Sequence, residues 1–415
     1  MTAKKNMTFA EMYVKIVAAR ETDTIDHALV QLQYDPHHLE CVLRPTARGA
    51  ASACPGIPGH CPGKPFLDCL FDNIRPNAAG NYEFQPLTER CRERISAEAI
   101  APILASKDLL AVLRELQSAE APVYAVVAPA FSSQFATIND SQLRTAFKRL
   151  GFAGMVEVSL FADILTLKEA LEFDLMIQDE QDYMLTSCCC PVWIQMIRRL
   201  HPDLLHKVPG SVSPMVAAGR VVKRLVPGAI TVFVGPCLAK KAEARESDIA
   251  DAIDQVLTFK EVSDLFAAAR IDAGEIPADL REHSSFAGRI YAVSKGVSEA
   301  VAVTLDRIRP DKPIRVKAVQ ADGVPECKRL LDDLERGVIK ANFLEGMGCA
   351  GGCVGGPRAL IDRSVATTKV RAYAEQALYP TPIDNPYVVE LLHRLGMNTI
   401  EALLEDQDIF TRKLI

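Results

Sequence analysis

Apolar runs and helical stripes alternate along most of the chain. Residues 123–130 form an unbroken apolar run with several valines, the mark of a strand buried on both faces. A helix is predicted over 140–150, a strand over 155–160, and a helix over 166–177 with Leu167, Ala170, Leu171 and Leu175 on one side. Further buried strands are predicted at 231–234, 289–293 and 314–320, each followed by helical sequence. Strands that alternate with helices predict an α/β fold whose parallel sheets are flanked by helices.

The two ends read differently. Residues 9–30 have helical spacing, and 39–43 is a short strand candidate. From 44 to 86 prolines and glycines are so frequent that long elements are forbidden. A polar–apolar helix is predicted over 96–118, and the tail from about residue 372 reads as helices without a chemical motif.

With 415 residues, 49% hydrophobic and 24% charged, the chain has an ordinary globular balance, which excludes a disordered or collagenous protein. A net charge of −6 without a Lys/Arg stripe argues against nucleic acid as a partner. The apolar runs fall short of a bilayer span, and no secretory signal is visible near the start, so a cytoplasmic location is expected.

Twelve cysteines are the unusual feature. Cys41, Cys54, Cys61, Cys69 and Cys91 lie in the first quarter; Cys188, Cys189 and Cys190 are consecutive; Cys237, Cys327, Cys349 and Cys353 follow. In a reducing compartment such clusters point to metal ligation or redox chemistry rather than disulfides. Pro191 is favoured at the first position of a helix, which places Cys190 at or near an N-cap, where the helix dipole favours a thiolate. Cys237 directly follows the predicted strand 231–234, at the carboxyl end where ligands of parallel sheets gather. Cys349 and Cys353 bracket glycines that let the backbone approach a bulky ligand. Cys190, Cys237, Cys349 and Cys353 supply four thiolates from three loops, the count an Fe–S cubane requires.

These segments, Thr186–Trp193, Gly235–Lys241 and Phe343–Gly356, resemble in order and separation the three signatures of the [FeFe]-hydrogenases. The 127–130 stretch and the Ser213–Pro214 pair also resemble that family, over roughly residues 120–365. The resemblance implies a two-lobed H-cluster domain. Its cofactor would be a [4Fe-4S] cubane joined through a cysteine to a di-iron unit with CO, CN⁻ and a dithiolate. It implies cubane ligation by Cys190, Cys237, Cys349 and Cys353, with Cys353 as the bridge. Lys240 would face one cyanide, Ser213 and the backbone beside Pro214 the other, and Met347 would pack on the di-iron unit. Cys189 is the implied proton-transfer thiol when counted from Pro191, and Cys188 when counted from Thr186. Glu169 and Glu172 are candidates for an onward carboxylate relay.

The implied reaction is reversible H2 oxidation and proton reduction, with H2 and protons as substrates, a ferredoxin-like electron partner and maturation factors. Several positions depart from the family pattern. Gly235 stands in place of a usual methionine and Met215 in place of a glutamine. Gly348 and Ala350 replace alanine and proline, and Pro357 interrupts the glycines. These departures resemble the divergent, sensory branch, for which slow turnover is expected. A non-catalytic Fe–S scaffold is the alternative function.

Four of the five early cysteines, taken as Cys41, Cys54, Cys61 and Cys69, are expected to bind one accessory [4Fe-4S] cluster, with zinc as the rival metal. The expected organisation is a Cys-rich iron–sulfur segment (1–118), an H-cluster domain (119–366) and a helical tail (367–415).

Overall fold

The computed structural model describes residues 65–415, apart from residues 119, 133, 136, 137, 187, 188, 272, 273, 275, 280–282 and 415. The expected helix 9–30 and strand 39–43, with Cys41, Cys54, Cys61 and Cys188, lie outside the described residues.

Two parallel sheets carry the architecture. The larger runs in the order β4 (Gly154–Glu157), β3 (Val123–Val127), β6 (Ile230–Gly235), β7 (Gln255–Thr258). All its pairings are parallel, with Ala125 set between Met155 and Val232. The smaller has the order β5 (Met184–Leu185), β9 (Phe343–Met347), β8 (Ala318–Asp322), also parallel. Every residue of β3, β4 and β9 is buried, as expected of strands covered on both faces. A short antiparallel hairpin, β1 (Ile74–Pro76) with β2 (Tyr82–Phe84), precedes them.

One apolar core fills the larger sheet and its helices. A second, smaller core gathers around Leu185, Trp193, Leu330 and Leu344. The helix Lys107–Ser118 is tied to the short helix Ala239–Glu243 that follows β6 by an Asp108–Lys241 ion pair at 2.6 Å.

Several expected elements shift. The apolar run after residue 155 is strand only to Glu157; the helix begins at Val158 and runs to Met176. That helix is buried on nearly every face, so it offers no amphipathic stripe to mark its start. Leu175, expected on its apolar side, is 62% exposed. Residues 289–293 are not a strand. Ser285 caps a short helix, Phe286–Arg289, which continues as a 3-10 turn, Ile290–Ala292. A short apolar run does not by itself separate strand from buried helix. The helix expected over 96–118 breaks at Ser106, whose hydroxyl caps the second half by accepting from Leu109 N–H. The 314–320 strand lies instead at 318–322, and β7 and β9 were not expected.

Candidate metal centre

Both sheets point their carboxyl ends at one cavity of about 800 Å³, counting the space at its mouth. From the larger sheet, β3 runs into Ala128 and Pro129, and β6 into Pro236 and Cys237. From the smaller, β5 leads to Cys189 and Cys190, and β9 to Gly348 and Cys349. Cys353 follows on the glycine turn. Thus Cys189, Cys190, Cys237, Cys349 and Cys353 share one wall-lined space with Lys240, Pro214 and Met347.

Local sequence explains each placement. Cys190 is the N-cap residue of the helix Pro191–Leu200, with proline at its first position. Its Sγ accepts a hydrogen bond from Gly348 N–H at 3.3 Å. Pro214 likewise opens the helix Pro214–Leu225 behind its cap, Ser213. The wall admits little side-chain bulk. A Cβ at Gly348 would lie 2.5 Å from Val192, and behind the wall one at Gly346 would lie 2.1 Å from the Trp193 ring. Gly352, at φ +86°, would place a Cβ 2.8 Å from Met347 Sδ.

The electrostatics are those of thiols waiting for cations. Burial pushes Cys349 up to about 11, and Cys237 and Cys353 upward as well, with the neighbouring sulfurs adding repulsion. Cys189 is raised well above the ordinary thiol range by burial, then by Cys190 and Glu169. Metal ions remove that penalty by taking the thiolate form. Among the described residues no three His, Cys, Asp or Glu side chains stand close enough to share a single ion. The four thiols are instead spread around the cavity, which fits a group of several metal atoms. Lys240 is 7% exposed and its Nζ lies 2.6 Å from Glu243 Oε2. Glu243 therefore already provides the anion that a buried ammonium needs.

Other candidates stand elsewhere. Ser213 is fully buried and its hydroxyl accepts from Val216 N–H as a helix cap, behind the cavity rather than on its wall. Glu169 and Glu172 sit on the helix Val158–Met176, which meets the cavity at Val158. Glu169 is fully buried, and Glu172 is ion-paired with Lys168. Cys69 lies in the helix Phe66–Asp72, where Asn73 Nδ2 approaches its Sγ at 3.8 Å. Cys327 is buried in the helix Val324–Glu335, its thiol bonded to Met347 O at 3.3 Å.

The sequence reading missed Tyr291, which lines the cavity from within the supposed strand 289–293. Thr166 Oγ1 donates to Ala162 O at 2.7 Å, so Tyr291 donates its own proton to Thr166 at 2.9 Å. It also missed Phe233, whose ring blocks any side chain at Gly235; a Cβ there would lie 2.8 Å from it. The period of two along β6 puts 233 and 235 on one face and was the available signal.

Fold and site together define a thiol-rich α/β protein whose two parallel sheets open onto one cysteine-lined pocket. Residues 121–357 match the family model of the iron-only hydrogenase large subunit, C-terminal domain, and the chain belongs to that family. Iron hydrogenase 1 of Clostridium pasteurianum is 26% identical over 275 residues, 56% of this chain and 48% of that protein. The periplasmic [Fe] hydrogenase large subunit of Nitratidesulfovibrio vulgaris is 27% identical over 271 residues, 55% of this chain and 64% of that one. The match thus spans from about half to just under two thirds of these relatives. A solved variant of the [FeFe]-hydrogenase of Chlamydomonas reinhardtii superposes with a TM-score of 0.57 at 22% identity, covering 76% of this chain and 97% of that one. A structure describing degradation of the H cluster 2Fe subcluster by oxygen gives 0.58, covering 71% and 96%. Among the described residues no helix is long and apolar enough to cross a membrane.

Proposed function

We propose that this chain is an [FeFe]-hydrogenase-like iron–sulfur protein that interconverts H2 with protons and electrons. One observation carries the reading: thiols from three distant loops meet in one cavity at the carboxyl ends of both sheets. Cys190, Cys237, Cys349 and Cys353 would hold a [4Fe-4S] cubane, with Cys353 also joining a di-iron CO/CN⁻ dithiolate unit. That group supplies the splitting of H2 and the uptake of its electrons.

The chain's own residues do the rest. Gly348 N–H steadies Cys190 Sγ. Lys240, held by Glu243, turns a positive charge toward an anionic ligand in the cavity. Met347, Pro214 and Tyr291 exclude water from the wall. Cys189 stands beside the ligand Cys190 and carries a proton between the cavity and the helix behind it, with Glu169 and Glu172 as onward carriers. An accessory cluster on four of the early cysteines, a ferredoxin-like partner, dedicated maturation factors and a cytoplasmic location complete the reading.

A slow, sensory use of the same centre is favoured by Gly235. Phe233 and Ala128 take the room beside it, so the contact of the family's usual methionine is missing. Such lost contacts retune a cluster's potential and hydrogen affinity. The deciding experiment is infrared spectroscopy with iron counting on anaerobically matured protein, together with an H2-evolution assay. CO and CN⁻ bands with turnover support the reading. Bound iron without those bands would make the protein a scaffold, and rates equal to those of fast hydrogenases would remove the sensory role.

A further inference from the structure

The helix Val158–Met176 carries charge inward as well as apolar bulk. Lys168 is 3% exposed. Its ammonium forms a close ion pair with Glu172 Oε1 and donates to Ser211 Oγ at 2.9 Å. Ser211 is fully buried, and its hydroxyl lies 3.2 Å from each carboxylate oxygen of Glu172. The strand-like segment around Ser211 is itself fixed: Val212 N–H donates to Phe410 O at 3.0 Å and Arg412 N–H to Gly210 O at 2.7 Å. Lysine, carboxylate and hydroxyl thus form a closed triangle in the interior. One helical turn back, Glu169 is buried near Cys189 and Tyr291 and raises both.

An ammonium is an expensive group to bury, and the neighbouring inward positions Ile164, Leu167 and Leu171 are filled by hydrocarbon. Packing alone gives no reason for a lysine at 168; its contacts do. We propose that Lys168 is a positioning residue for proton transfer, which holds Glu172 as an ionised acceptor and turns the Ser211 hydroxyl onto it. The inference rests on the function proposed above. In the step, an O–H bond forms on a Glu172 oxygen as the Ser211 O–H bond breaks, and Ser211 is reprotonated from the Glu169 carboxyl, whose own O–H bond breaks. The proton then leaves to water at the partly open edge of Glu172, whose side chain is 12% exposed. The carboxylate is restored, no electrons move, and the ammonium keeps its protons throughout. Burial pushes Glu172 up while Lys168 and Ser211 pull it down, so the lysine sets where the balance falls.

The test uses the full chain with Lys168→Met, which keeps length and removes charge, and Lys168→Arg, which keeps charge. The first readout needs no turnover: the infrared band of a protonated carboxyl group during a pH titration. In Lys168→Met that band should persist at least about one pH unit higher than in the parent. Lys168→Arg should return it to place, and adding Glu172→Gln should delete it. The second readout is the pH–rate profile of hydrogen evolution after maturation. Lys168→Met should lose roughly tenfold or more at neutral pH, with the profile displaced in the same direction as the band. An unmoved band, or an unmoved profile in a protein that does turn over, overturns the role of Lys168 alone. A moved band in a protein that never evolves hydrogen, parent included, overturns the function and with it the proton-transfer role. Should Lys168→Met not fold, Lys168→Gln, which keeps a donor toward Ser211 and removes the charge, decides by the same carboxyl band: an unmoved band refutes the proposal, and a band that persists to higher pH supports it.

Discussion

Asp163 places a carboxyl group where no water reaches it, and burial lifts it from the usual 3.8 to about 6. Ser285 N–H at 2.7 Å, the Ser285 hydroxyl and Asn385 Nδ2 at 3.2 Å partly offset that penalty. Because the folded value is the higher one, the folded chain holds a proton that the unfolded chain releases between these values. Stability from this group therefore falls as pH rises from about 4 to about 6, by about 3 kcal/mol for a shift of that size. Thermal melts of the parent and of Asp163→Asn should show the parent's relative stability shrinking across that window. A constant difference would mean that the group does not titrate there. The cysteines make a second residue-level prediction. Serine at 190, 237, 349 or 353 should sharply lower bound iron and sulfide in matured protein. Cys327→Ser should not, since its thiol is bonded to the backbone carbonyl of Met347. Metal analysis of the five variants checks both halves.

At the scale of elements, what could be read from sequence followed local chemistry. The helix at 140 was legible because Asn139 and Gln142 form a reciprocal capping box. Asn139→Ala should cost about 1 kcal/mol, seen as a lower denaturation midpoint with unchanged slope. The entry of Pro191 fixed Cys190 at a helix N-cap, as the dipeptide implied. By contrast, the start of the helix at Val158 was hidden because burial on all sides erases periodicity. The short helix at 286 was hidden for a different reason. Its cap, Ser285, owes its setting to Asp163, more than a hundred residues earlier. The gathering of the four thiols was legible in the order of the motifs, whereas Tyr291, Phe233 and the Glu243 partner of Lys240 were not. Their roles arise from contacts across the chain rather than from any pattern within it.

For the whole molecule, the smaller sheet joins both apolar cores, with Met184 and Phe343 in the main one and Leu185 and Leu344 in the other, and the two sheets share the cavity between their carboxyl ends. Cys237 follows the larger sheet, while Cys190, Cys349 and Cys353 follow the smaller. A ligand held by all of them binds the folded chain and not the unfolded one, so loading should raise the melting temperature and chelation should lower it. Occupancy at about a hundred times the dissociation constant would add about 2.7 kcal/mol. Scanning calorimetry before and after anaerobic reconstitution with iron and sulfide measures this, and coincident melts would contradict it.

The glycine-lined wall has a consequence for how such a pocket can change over evolutionary time. Gly348 on the wall and Gly346 just behind it each abut a side chain of the helix Pro191–Leu200, Val192 and Trp193 respectively. Neither glycine can acquire a side chain until the residue opposite has shrunk. Paired exchanges across that seam, rather than single ones, are therefore the route by which descendants of this sequence could reshape the chamber.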